Sequence, residues 1–145
     1  MATKKTVLIA EDDANDVLFL RRAFAKAKVM ASLRFVHDGQ EAVDYLKGEG
    51  SFADRLAHPL PDLVMLDHKM PRMDGSAVLE WVRKQAHLSR LPVIILSSSS
   101  LKADIDRAYQ LGADSYMVKP QELRKLCEMA EVVKHRWLSS SSDQE

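Results

Sequence analysis

The chain has 145 residues, 46% of them hydrophobic, with one cysteine, Cys127, and 21 basic against 21 acidic side chains. The length predicts a single domain, and a lone cysteine cannot form an internal disulfide, which is typical of a reducing, cytoplasmic location. The formal net charge of zero argues against a nucleic-acid or membrane surface, because both need excess positive charge, so neither partner is expected.

Two kinds of apolar segment alternate along the chain. Short runs rich in Val, Ile and Leu predict buried strands, and longer stretches with apolar residues three or four apart predict amphipathic helices. In chain order the predicted strands cover residues 7–10, 33–36, 63–66, 93–96 and 116–118. The apolar stripes of the predicted helices run through residues 17–27, 40–47, 78–86, 105–109 and 123–137, with Gly112 as the cap of the fourth.

The order of strand and helix, repeated five times, predicts an α/β fold with a doubly wound, five-stranded parallel sheet. Residues 48–61 are predicted to form a long surface loop. The predicted domain covers residues 1–138, and the polar stretch 139–145 is predicted to be a disordered tail. The first apolar run, residues 7–10, is too short for a signal peptide or a membrane span, so neither is expected.

Polar side chains follow four of the five predicted strands. In chain order they are Glu11, Asp12 and Asp13, then Asp67, then the serines of 97–100, then Lys119. Ligands of open parallel sheets bind beyond the carboxyl ends of the strands, so these side chains are expected at one edge.

This set of side chains suits phosphoryl transfer. Clustered carboxylates repel one another and are stable together mainly around a cation, and a few oxygen ligands suit Mg²⁺. An aspartate can act as the nucleophile and form an aspartyl phosphate. A lysine and a serine hydroxyl would then stabilise charge on the transferred oxygens. The residues therefore predict a magnesium site beside a phosphoacceptor.

Four segments resemble the motifs of one family, in order and in spacing. They are Val7–Asp13, Pro61–Gly75, Pro92–Ser97 and Tyr116–Pro120. Together they resemble the receiver domains of bacterial two-component response regulators over nearly the whole chain. The stretch His37–Gly50, with the loop after it, is similar to the stand-alone receivers that partner bacterial phytochromes.

The resemblance implies a flavodoxin-like (βα)5 receiver fold and a role for each matching residue. Asp67 would be the phosphoacceptor, and Ser97 and Lys119 would stabilise the phosphoryl group. Ser97 and Tyr116 would form the conformational switch. The peptide bond between Lys119 and Pro120 is expected to be cis, which proline tolerates at a cost of about 0.5–1 kcal/mol.

The resemblance also implies the ligands of the metal. Mg²⁺ would be held by Glu11, Asp12, Asp67 and the backbone carbonyl of Lys69. The side chain of Lys69 departs from the smaller residue or amide that is commoner at this position. We expect its ammonium to weaken Mg²⁺ binding and to protect the acyl phosphate from water.

Some polar residues near these motifs are expected to serve helix ends. Asp13 or Asn15 would favour the start of the first helix, Asp74 would cap the third, and Ser99 or Ser100 would cap the fourth.

The expected function is that of a single-domain response regulator, which is not an enzyme beyond its own phosphorylation and slow dephosphorylation. Its expected partners are a sensor histidine kinase, of the phytochrome type if the narrower resemblance holds, and a downstream protein or a second copy of the chain. One alternative is an aspartate-nucleophile phosphatase of the haloacid-dehalogenase type, which would need an acid where Lys69 stands. Another is a binding module that works without phosphorylation. A dinucleotide site is excluded because the five glycines form no Gly-x-Gly-x-x-Gly.

Overall fold

The computed structural model describes residues 4–139, and in this range five strands alternate with five α-helices. The strands are β1 (Thr6–Ala10), β2 (Ser32–Val36), β3 (Leu63–Asp67), β4 (Val93–Ser97) and β5 (Ser115–Val118). The helices are α1 (Ala14–Lys26), α2 (Gly39–Lys47), α3 (Gly75–Lys84), α4 (Lys102–Gln110) and α5 (Leu123–Trp137). Every predicted strand and helix is present.

The five strands form one parallel sheet in the order β2-β1-β3-β4-β5. Alternate residues of each strand face opposite sides, so the sheet has a core on each face. Helices α1 and α5 cover one side, where Phe24 and Val133 are buried, and α2 and α3 cover the other, where Leu46 and Leu79 are buried. This confirms the predicted doubly wound fold.

Three aspartates fix where the helices begin near the carboxyl edge of the sheet. Asp13, Asp38 and Asp74 are the N-caps of α1, α2 and α3, and each side chain accepts backbone N–H groups of the first turn. The cap predictions for Asp13 and Asp74 are therefore confirmed. Gly75 follows the third cap because a Cβ there would lie 2.6 Å from the carbonyl oxygen of Asp67.

The segment 48–61 lies mostly at the surface, as predicted, and it contains a short 3-10 helix at Gly50–Phe52 and is held to α2. The guanidinium of Arg55 donates to the carbonyls of Tyr45 and Leu46 at 2.8 Å each. The hydroxyl of Tyr45 donates to the carbonyl of Pro59. The prediction recognised a connection without strands but missed the contacts that order it.

Two further expectations need correction. No cis peptide bond occurs in residues 4–139, so the expected cis bond between Lys119 and Pro120 is wrong, and the bond takes the trans form that is favoured even before proline. Most of the tail predicted to be disordered, residues 139–145, lies outside the described residues. Ser139 is described, and its hydroxyl donates to the carbonyl of His135 at 3.0 Å.

Across the described range, every helix is too short or too polar to cross a membrane.

Candidate functional site

The predicted site residues meet at the carboxyl edge of the sheet. Glu11 follows β1, Asp67 ends β3, Ser97 ends β4 and Lys119 follows β5. Glu11, Asp67 and Ser97 are polar yet almost fully buried, with exposures of 1%, 8% and 2%. Burying carboxylates is costly unless they are paired, so their environment determines what this edge can do.

Three carboxylates form a cluster in which each offers one oxygen, and these oxygens lie within 4.8 Å of one another. The three are Glu11, Asp12 and Asp67, of which only Asp12 is exposed. Oε1 of Glu11 is buried, and within the described part of the chain its polar contact is an ion pair with Lys119 rather than a well-aligned hydrogen bond. Carboxylate oxygens at this spacing fit a hard divalent cation such as Mg²⁺.

The ammonium of Lys119 lies beside this cluster. Its Nζ is 2.6 Å from Oε1 of Glu11, 3.0 Å from Oδ2 of Asp16 and 3.2 Å from Oδ2 of Asp67. The backbone N–H of Lys119 also donates to the carbonyl of Ser97 at 2.7 Å, which ties the residue to the end of β4. One ammonium thus faces three carboxylates, and negative charge remains in excess.

The pKa values of Glu11 and Lys119 are both shifted in this cluster. Burial raises the pKa of Glu11 to about 7, and the Lys119 ammonium only partly offsets that effect. Burial alone would lower the pKa of Lys119, but its bonds to Glu11 and Asp16 outweigh burial and hold that pKa above its ordinary value. Lys119 is therefore charged, while the ionised form of Glu11 is held at a cost that a divalent cation would relieve.

The two predicted switch residues both contact the backbone of Ser99. The Oγ of Ser97 accepts a hydrogen bond from the N–H of Ser99 at 3.0 Å, and the hydroxyl of Tyr116 donates to the carbonyl of Ser99 at 2.8 Å. Tyr116 is half-buried and packs against the core on the α3 side of the sheet. A rotation of Ser97 toward Asp67 would have to release the N–H of Ser99, which would connect the site to the start of α4.

The cap predicted for α4 is misplaced. Its N-cap is Leu101, whose side chain has no capping oxygen. Ser99 acts two residues earlier, where its hydroxyl accepts from the N–H of Leu101 at 3.2 Å and donates to the carboxylate of Asp104 at 2.5 Å.

Lys69 lies at the rim of the site with an exposed side chain. Its backbone N–H donates to Oδ1 of Asp67 at 3.3 Å, which orients the carboxylate. The side chain borders the same open groove as Asp12. The role of its carbonyl as a metal ligand stays a prediction.

Sequence reasoning missed Asp16 and the pair Asp38–Arg72. Asp16 lies in the first turn of α1, where an acidic residue is explained by the helix dipole alone. The one signal in the sequence is the spacing Asp13-x-x-Asp16. It places Asp16 one helical turn after the N-cap and therefore near the carboxyl edge of the sheet. The Nη2 of Arg72 lies 2.8 Å from Asp38, and this ion pair joins the loop after β3 to the start of α2.

Comparison with known proteins identifies the class. The family model described as the response regulator receiver domain matches residues 7–131. The chain therefore belongs to the response regulator receiver domain family and is a receiver of two-component signalling. Its stand-alone receiver relatives are signalling proteins rather than conventional enzymes.

Similar proteins include response regulators of light signalling. The crystal structure of RPA3017, from red light signalling of R. palustris, is 40% identical, covers 94% of this chain and 96% of that chain, and gives a TM-score of 0.89. The phosphorylated cyanobacterial phytochrome response regulator RcpA is 33% identical with the same coverage and a TM-score of 0.86. Rcp1 of Synechocystis sp. is 27% identical over 94% of this chain and 90% of its own length, and its Mn²⁺-bound structure gives a TM-score of 0.82.

Proposed function

We propose that Asp67 accepts a phosphoryl group from a phosphohistidine of a sensor kinase, and that the resulting change of conformation signals to a partner protein. The observation that carries this proposal is the position of the Asp67 carboxylate. It is 8% exposed at the end of β3, beside the carboxylates of Glu11 and Asp12 and 3.2 Å from the Lys119 ammonium. A nucleophile in that position has positive charge at hand where negative charge develops.

The proposed step is a displacement at phosphorus. A carboxylate oxygen of Asp67 forms a bond to phosphorus while the bond from phosphorus to the donor imidazole nitrogen breaks. That nitrogen keeps the electron pair of the broken bond and takes up one proton from solvent, so the donor leaves as neutral imidazole. The product is an acyl phosphate, and the number of phosphoryl groups is conserved.

Several residues of the chain would stabilise the phosphoryl group during transfer. Lys119 would turn its ammonium from the Asp67 carboxylate to the phosphoryl oxygens, and the Ser97 hydroxyl would donate to another of these oxygens. Mg²⁺, when held by Glu11, Asp12, Asp67 and the Lys69 carbonyl, would neutralise charge on the transferring group. The burial of the Glu11 carboxylate, whose Oε1 has the shared Lys119 ammonium as its ion-pair partner, supports such a cation.

The signal would leave through the contacts around Ser99. If the Ser97 hydroxyl turns toward the phosphoryl group, the N–H of Ser99 loses its acceptor. The peptide group that the Tyr116 hydroxyl holds would then shift, and with it the start of α4. Phosphorylation would shift the populations of these two states toward the one that stabilises the phosphoryl group better.

The similar proteins support a kinase of the phytochrome type as the donor, since RcpA is described as a phytochrome response regulator. A downstream protein, or a second copy of the chain, would read the α4 surface. The phosphatase alternative is disfavoured, because such enzymes place an aspartate that acts as general acid and base two residues after the nucleophile, and the exposed Lys69 stands there instead.

Labelling by acetyl phosphate tests the acceptor. Asp67→Asn is expected to abolish labelling that is sensitive to hydroxylamine, and excess EDTA is expected to suppress it in the parent. Asp62→Asn is the matched control at the other end of β3, because an amide oxygen can still accept the N–H of Thr6. Equal labelling of the parent and Asp67→Asn would overturn the proposal.

A further inference from the structure

Asp16 meets the Lys119 ammonium from outside the acid cluster. Its Oδ2 accepts a hydrogen bond from Lys119 Nζ at 3.0 Å, although the two residues are 103 positions apart in the chain. An ammonium has three N–H donors, and the three carboxylates around this one match that number. Asp16 thus joins α1 to the loop after β5.

The ammonium covers the oxygen that a cation would need. Oε2 of Glu11 accepts the backbone N–H of Asp13 at 3.1 Å, which leaves Oε1 as the oxygen of this carboxylate that a cation could take. That atom lies 2.6 Å from Lys119 Nζ. A divalent cation and the ammonium therefore compete for Oε1 of Glu11, because two positive charges cannot share one oxygen at such distances without strong repulsion.

The ammonium has a place to go on the Asp16 side. A groove of about 370 Å³ opens beside Asp16 and Lys119 and is bordered by Phe19 and Leu123. The Asp16 side chain is 40% exposed, whereas that of Glu11 is 1% exposed, so the charge of Asp16 remains on the solvent side. An ammonium that leaves Glu11 toward this groove stays paired, which avoids an uncompensated charge in a half-buried position.

We propose that Asp16 is a positioning residue, which retains the Lys119 ammonium when the Glu11 carboxylate turns to a divalent cation. The proposal rests on the proposed function, since it gives this cation a place in the site. Without the charge of Asp16, the remaining carboxylate partners of the ammonium are Glu11 and Asp67. The ammonium then competes more strongly with the cation for Oε1 of Glu11. Loss of Asp16 should thus weaken cation binding through Lys119, beyond the loss of one negative charge.

Magnesium titration of the unphosphorylated full chain by calorimetry tests this inference. Asp13→Asn is the matched control, because it removes one charge from the same end of α1 while asparagine keeps the cap. We expect Asp16→Asn to lower Mg²⁺ affinity about two- to fivefold more than Asp13→Asn, on the scale of a partly exposed ion pair. Asp16→Glu, which keeps the charge, should stay near the parent.

The same comparison in a Lys119→Met background isolates the lysine. There Asp16→Asn and Asp13→Asn are expected to have equal effects, because no ammonium competes. A second readout follows the ammonium itself by nitrogen NMR. Addition of Mg²⁺ should shift the Lys119 signal in the parent, and Asp16→Asn, but not Asp13→Asn, should change that signal before Mg²⁺ is added.

Each result separates this inference from the proposed function. If the parent binds Mg²⁺ and is labelled on Asp67 while Asp16→Asn matches Asp13→Asn, the role of Asp16 is wrong and the proposed function stands. If the excess effect of Asp16→Asn persists with Lys119→Met, it does not act through the lysine and the inference is overturned. If the parent binds no Mg²⁺, the inference falls together with the metal site of the proposed function.

Discussion

The two edges of the sheet use charge in opposite ways. At the amino edge, Asp114 accepts the N–H of Val93 at 2.8 Å and pairs with Arg83 at 2.8 Å. These two charges are partners of each other, and their contacts join α3 to the sheet. At the carboxyl edge, Glu11 and Asp67 are buried with Lys119 as their shared cation. At the amino edge each of these charges is neutralised by a neighbouring side chain, which stabilises the fold. At the carboxyl edge negative charge is in excess, which favours binding of a cation and of a phosphoryl group that can take the place of a carboxylate beside Lys119.

The largest expected effect on stability belongs to the amino edge. Arg83 donates to the carbonyls of Gly112 and Leu91 at 2.7–3.0 Å and pairs with Asp114. Arg83→Met should lower the free energy of unfolding by about 2–4 kcal/mol, because those acceptors lose their donor. Phosphoryl labelling of the folded fraction should be unchanged. Urea unfolding measures the first quantity, with the exposed Arg90→Met as control. A loss of labelling in folded Arg83→Met would show that the amino edge also affects phosphorylation, which contradicts this division between the two edges.

The carboxyl edge should show a smaller and pH-dependent effect. The pKa of Glu11 is about 7 in the folded chain against 4.5 for a free side chain. Between these values the folded state binds more protons than the unfolded state, so stability should fall as pH rises from about 4.5 to 7. The slope is at most about 1.4 kcal/mol per pH unit, and the extra stability of the acidic form is lost above pH 7.

Thermal unfolding in EDTA across this pH range checks the slope. Glu11→Gln should flatten it, since an amide does not titrate, while Glu128→Gln on the exposed side of α5 should leave it as in the parent. A parent whose stability rises steadily from pH 4.5 to 7 would show that the Lys119 ion pair dominates burial at Glu11.

Lys69 should have the smallest effect. Its ammonium lies at the rim, where its exposed side chain is screened by solvent. Lys69→Asn should tighten Mg²⁺ binding and shorten the lifetime of the acyl phosphate in the expected direction, each by less than about threefold, the scale of an exposed charge pair. Calorimetric titration and a dephosphorylation time course measure the two, with Lys102→Asn on α4 as control. A tenfold change would mean that the ammonium reaches into the site.

The sequence predicted what depends on local pattern. Apolar runs located all five strands, and the rule that parallel strands end at one edge predicted that Glu11, Asp67 and Lys119 lie together. The contact of Asp16 was not predicted, because the helix dipole alone already explains an acidic residue in the first turn of a helix. Its contact with Lys119 depends on where α1 lies relative to β5, which no local pattern records.

The other misses have similar causes. Arg55 orders the segment 48–61 through backbone carbonyls of α2, and every residue has such a carbonyl, so the sequence shows no complementary side chain. The cis bond expected before Pro120 was carried over from resemblance, and the energy difference between the isomers is too small for sequence to decide.

The most direct test of the central claim is to locate the acyl phosphate. Borohydride reduces an aspartyl phosphate to homoserine, which tandem mass spectrometry assigns to a position in the chain. After treatment with acetyl phosphate and Mg²⁺, we predict homoserine at position 67 and unmodified aspartate at positions 12, 13 and 16. Homoserine at one of those three positions, with Asp67 unmodified in labelled protein, would contradict the account.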